Sequence, residues 1–100
     1  MSGRIDARLK ELGIELPAAA APAANYVPFV VSGKTIFVSG QIPILNGEIK
    51  FKGKVGTDIT VEEGQKSARL CALNLIAQAR QAAGGDLDRI VRVVKLGGFV

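Results

Sequence analysis

The 100-residue sequence has no histidine, no tryptophan and a single cysteine, Cys71. Without histidine the chain lacks the commonest metal ligand and the usual base that titrates near neutral pH. One cysteine excludes an internal disulfide. Chemistry is left to carboxylates, lysines, arginines, hydroxyls, the thiol and the backbone. Aromatics are scarce, one tyrosine and four phenylalanines, and they are spread too widely for the stacking platform of a nucleic-acid module. No apolar run approaches the roughly 20 residues of a membrane span, and charges stand near the N-terminus where a signal peptide needs an apolar block. The expected compartment is the cytoplasm, with neither membrane nor nucleic acid as partner.

What is present favours a folded chain. Apolar residues make up 48% of it, and one hundred residues fit a single domain that buries roughly two-thirds of its unfolded surface. Part of the formal charge of +4 is concentrated in Lys50-Phe51-Lys52-Gly53-Lys54. On an extended segment the alternate lysines share one side and Phe51 takes the other, a pattern that reads as a solvated edge strand in preference to a phosphate-binding stripe.

Hydrophobic periodicity gives an order of elements. Residues 4–12 predict a short amphipathic helix with Ile5, Leu9 and Leu12 at helical spacing, stopped by Gly13. Leu16-Pro17 and an alanine-rich stretch to Asn25 follow as an extended connector. A hairpin is predicted from strands at 26–31 and 35–39 around Ser32-Gly33-Lys34, and Asn46-Gly47 marks a second turn between Ile44-Leu45 and Glu48-Ile49. Thr60-Val61-Glu62-Glu63 is a capping box that opens a helix over 61–83. Ala68, Cys71, Ala72, Leu75, Ile76 and Ala79 define its predicted buried face, with Leu70, Leu73 and Ala77 as a second apolar row, and Gly84-Gly85 ends it. Two apolar rows imply cover on two sides, by another helix of the fold or by another chain. A final β-rich segment, 90–96, predicts a strand.

One stretch reads as a site. In Phe37-Val38-Ser39-Gly40-Gln41-Ile42-Pro43 an apolar strand runs into a hydroxyl, a glycine that lets another group approach the backbone, and a proline that ends the strand. The same residues also suit a tight bend. Other motifs carry less. Gly47 to Lys54 misses the phosphate-loop spacing and has Val55 where a magnesium-binding hydroxyl belongs. Cys71, mid-helix, reads as a core thiol, Asp86 and Asp88 read as a turn with a short cap, and Tyr26 packs the hairpin or contacts a ligand.

Taken together, 21–26, the heptad at 37–43, a helix bearing Gln65, Ala68, Asn74 and Leu75, and Gly85-Asp86-Leu87-Asp88-Arg89-Ile90-Val91 with Val94-Lys95 and Phe99-Val100 resemble the RidA/YjgF family, also called endoribonuclease L-PSP or translation-inhibitor proteins. Residues 8–17 resemble a subgroup with an extra N-terminal helix. The chain divides into residues 1–16, that helix and the start of the connector, and residues 17–100, a RidA-like domain.

The resemblance implies an α+β, chorismate-mutase-like fold, a mixed sheet packed by helices, with roughly its C-terminal third missing from this chain. It further implies a homotrimer with ligand clefts between subunits, and hydrolysis of enamines or imines such as 2-aminoacrylate without a metal or organic cofactor. By matching positions, Tyr26, Ser39, Gly40 and Phe99 become expected ligand-binding residues for a small carboxylate metabolite. The family's carboxylate-binding arginine and water-positioning glutamate are expected beyond Val100. A noncatalytic trimeric binder, or less favourably a ribonuclease or translation inhibitor, are the other readings.

Overall fold

A computed structural model describes residues 3–19, 27–45 and 48–99. In chain order it forms helix α1 (Arg4–Glu11), strands β1 (Phe29–Ser32), β2 (Thr35–Val38), β3 (Ile44–Leu45) and β4 (Glu48–Ile49), helix α2 (Val61–Ala82) and a 3-10 turn, Leu87–Arg89. The class is α+β, as expected.

Both expected hairpins are present. β1 and β2 pair antiparallel with Val30 opposite Phe37 and Val31 opposite Ile36. β3 and β4 pair antiparallel with Ile44 opposite Ile49; the Asn46-Gly47 turn itself lies outside the described residues, as does Tyr26. The first strand is shorter than predicted, beginning at Phe29. The two hairpins are separate two-stranded sheets, joined by residues 39–43 and both packed on α2.

The Thr60 capping box is formed in full: Glu63 N–H donates to Thr60 Oγ1 at 3.1 Å, and Thr60 N–H donates to Glu63 Oε1 at 2.9 Å. Those bonds hold the Glu63 carboxyl below its usual range. At the other end Gly84 and Gly85, with φ of 73° and 93°, fold back so that their amides close on Gln81 O and Arg80 O, a left-handed stop that side chains resist.

The two expected apolar rows of α2 are largely enclosed, with Cys71, Leu75, Ile76 and Ala79 of the first and Leu70 and Leu73 of the second half-buried and Ala77 buried, while Ala68 and Ala72 are exposed. The most enclosed strip lies between the rows and includes two residues outside them, Asn74 and Gln78. Asn74, at 3% exposure, donates to the Ile42 carbonyl across the interface with the hairpin joint, so the buried amide of the helix has a main-chain partner there.

Two further expectations are corrected. Residues 90–96 form no strand: Val91, Val93, Val94 and Leu96 are between 73% and 94% exposed, and a β-prone segment without a pairing edge has nothing to satisfy its backbone. Pairing among the described strands is therefore antiparallel only, apart from an isolated parallel bridge between Val55 and Ile59. The lysine segment is not a strand either. β4 ends at Ile49, Gly53 turns the chain at φ 121°, and Asp58 accepts the Lys54 amide at 2.9 Å. A Cβ at Gly53 would collide with that aspartate side chain.

The N-terminal helix is held from a distance. Its own N-cap position is Gly3, which has no side chain to cap with, and Asp88 takes over, accepting from Gly3, Arg4 and Ile5 amides at 3.0, 2.9 and 2.9 Å. Asp86 in turn accepts the Asp88 amide, and Arg80 pairs with Asp6 at 3.2 Å. The expected turn with a short cap at Asp86 and Asp88 is present and does more, since it anchors α1.

Candidate functional site

At the end of β2 the ladder continues for one bond, with Ser39 N–H donating to Pro28 O at 2.9 Å, and then stops. Beyond it Ser39, Gly40, Gln41, Ile42 and Pro43 belong to no helix or strand. Pro43 cannot donate to a ladder, and Gly40 carries no side chain to pack. Between the Ser39 amide and the Pro43 carbonyl, which accepts from Lys50 N–H at 2.9 Å, their shape comes from side-chain bonds. Ser39 Oγ donates to Val27 O at 2.6 Å, Gln41 Nε2 donates to Ser39 O at 2.9 Å and to Gly40 O at 3.3 Å, and Asn74 Nδ2 reaches Ile42 O at 3.1 Å.

This arrangement fixes what the strand end can offer. The Ser39 hydroxyl proton is committed to the Val27 carbonyl, so its oxygen is left as an acceptor. The Gln41 amide is turned inward on the Ser39 and Gly40 carbonyls. Gly40 is exposed, and a Cβ built there would meet no atom of the chain within 4 Å. The strand end therefore presents bare backbone to whatever approaches.

Of the four residues expected to bind ligand, the structure brings Ser39 and Gly40 together at this strand end. Phe99 stands fully exposed in the extended run after residue 90, and Tyr26 is outside the described residues. The sequence heptad included Gln41 only as a polar amide; its grip on the two preceding carbonyls is a structural addition. Asn74 is the larger omission. Its signal was available, a polar side chain in register with Cys71 and Gln78 on one helical face.

Elsewhere the chemistry is sparse. Cys71 is half-buried, and burial pushes its thiol above the ordinary 9.0, which disfavours the nucleophilic thiolate. Among the described residues no three histidine, cysteine or acidic side chains gather as a metal site, and no helix is long and apolar enough to cross a membrane. The Lys50 ammonium is paired with Glu48 at 3.3 Å. A shallow hollow of ≈ 340 Å³ between residues 17–19 and the end of α2 is lined largely by proline, alanine and glycine, with Arg80 turned to Asp6.

Residues 6–100 match a family described as "YjgF/chorismate mutase-like, putative endoribonuclease". Protein TCP17 of Trypanosoma cruzi is 56% identical over 99 residues, which is 99% of this chain and 61% of that protein. Among solved structures, a protein of unknown function from Agrobacterium tumefaciens superposes with a TM-score of 0.78 at 50% identity, over 90% of this chain and 54% of its own. A "putative endoribonuclease" from Shewanella oneidensis MR-1 gives 0.80 at 42% identity, over 87% and 57%. The chain thus spans between half and two-thirds of each of these relatives.

Proposed function

The chain belongs to the YjgF/chorismate mutase-like family, and from that premise we propose that it is a small-molecule protein that binds carboxylate-bearing metabolites at the Ser39–Gly40 strand end and hydrolyses reactive enamines or imines of the 2-aminoacrylate type. The observation that carries this reading is the open backbone at Gly40 beside a serine whose proton is already committed. With that hydroxyl unavailable as a donor, the main-chain amides next to it hold the carboxylate, and the Ser39 oxygen accepts from water or from the substrate nitrogen.

The chemistry balances without an added redox partner. Protonation of the enamine carbon gives the imine, water adds to the imine carbon, and the resulting carbinolamine expels ammonia to leave the keto acid. Tyr26 and Phe99 complete the cleft walls in this reading. The cleft is formed between copies of a homotrimer, a reading supported by Val30 and Phe37: they are cross-strand partners exposed on one face of the first hairpin.

A second reading has its own support. The side chains bonded to the strand end, Gln41 and Asn74, do not titrate, which suits a noncatalytic binder of the same carboxylates. One experiment separates the two. With 2-aminoacrylate generated in the assay, an enzyme accelerates its loss and the release of ammonia. A binder gives no acceleration but is stabilised against melting by a small keto acid. Neither acceleration nor a thermal shift would sink both.

A further inference from the structure

We propose that Asn74 is a positioning residue for the Ser39–Gly40 strand end: its carboxamide, by holding the Ile42 carbonyl, sets the backbone that receives the ligand. The inference rests on the cleft reading above and deepens it.

The reasoning starts from cost. A primary amide at 3% exposure has lost its water and is destabilising unless its hydrogen-bonding groups are used. Asn74 uses Nδ2 on Ile42 O at 3.1 Å. An apolar residue of the same size would fill that space between helix and hairpins without such a requirement. What the amide adds is direction. Residues 39–43 have no ladder of their own, and they connect two sheets that share no hydrogen bond between strands. Asn74 is a bond by which α2, the longest element, grips that joint, next to the Pro43 carbonyl that the Lys50 amide holds at 2.9 Å.

Its effect is transmitted through short covalent distances. Ile42 is one residue from Gln41, whose Nε2 clamps the Ser39 and Gly40 carbonyls, while Ser39 is fixed on its other side to Val27 O and Pro28 O. The strand end is thus fastened at both ends, through Ser39 to the start of the first hairpin and through Ile42 to the helix. Gly40 lies between the two fastenings with open space before it. If the helix-side fastening is released, the peptide planes at Gly40 and Gln41 can rotate, and the amides no longer converge on one carboxylate. Displacements of this kind cost about tenfold or more in sites that depend on orientation.

The test uses Asn74→Leu, which keeps the branching at Cγ and the helix but removes the donor, with pyruvate as the probe and backbone amide NMR as the readout. Expected are a retained cooperative melt, shifted Gly40, Gln41 and Ile42 amides in the ligand-free variant, and pyruvate affinity lowered about tenfold. In the wild-type chain the Asn74 side-chain amide signal should move during the pyruvate titration with the same midpoint as the Gly40 amide, a response that an anchor serving stability alone would not give. Unchanged Gly40 to Ile42 amides, or an unchanged affinity, in Asn74→Leu would overturn the proposal. Should that variant fail to fold, a static Asn74 signal in the wild-type titration does the same. A wild-type Gly40 amide that ignores pyruvate removes the cleft reading, and this inference with it. That outcome is distinguishable because the ligand-free comparison is made independently.

Discussion

Cys71 and Ser39 are side chains of types that act as nucleophiles elsewhere, and their surroundings remove that role in different ways. Cys71 is on the helix face turned toward the hairpins, where desolvation penalises the thiolate and raises the thiol above 9.0. At neutral pH it is therefore protonated. Alkylation by iodoacetamide at pH 7 should be slower than that of free cysteine and should climb as pH passes 9; parity with free cysteine at pH 7 would contradict the buried placement. Ser39 keeps its proton on the Val27 carbonyl, and among the described residues no histidine exists to take it. The proposed carboxylate site needs neither residue as a nucleophile, since it binds through the backbone.

The two helices solve the same problem at their N-termini by opposite means. α2 carries its cap in its first residues, while α1 borrows a carboxylate from beyond the end of α2. Hydrogen bonds from the Ile5 amide, then from Arg4 and Gly3, hold the Asp88 carboxyl below its ordinary 3.8. A carboxyl with a lowered folded value contributes stability that is present above its unfolded value and lost as pH falls through the folded one. α1 should accordingly stay docked to below pH 3.8, with the Gly3, Arg4 and Ile5 amides moving together only in stronger acid. Asp88→Asn should bring that movement to neutral pH without disturbing the Thr60 box. An α1 indifferent to both would contradict the borrowed cap. This contrast also explains what was readable beforehand. The Thr60 box, the first hairpin and the glycine stop are local, so four or five adjacent residues specify them. The Asp88 cap and the Asn74 anchor join residues 83 to 85 and 32 positions apart, and periodicity is blind to such distances. For the same reason the most enclosed strip of α2 is not legible from apolar residues alone, since two of its three members, Asn74 and Gln78, are amides. The irregular strand end at Ser39–Gly40, the candidate site, is legible from its composition, and the bonds that shape it are not.

At the scale of the whole molecule the described chain leaves much apolar surface in water. Phe37 is 61% exposed opposite Val30 on the hairpin, and the run from Val91 to Phe99 is more exposed still. Large apolar side chains left in water in this number are what an assembly interface would cover. The proposed trimer predicts a sedimenting mass three times the 10.5 kDa of the chain. Phe37→Glu should reduce it to one chain while the α2 circular dichroism signal persists. A wild-type chain that sediments as a monomer at micromolar concentration would refute the assembly. The borrowed cap also bears on the order of folding. An isolated helix as short as α1, eight residues, is unstable in water, and the carboxylate it needs is made some eighty residues later. During synthesis, therefore, α1 emerges well before the turn at Leu87–Arg89 that caps it, and it sets only after that turn has been translated.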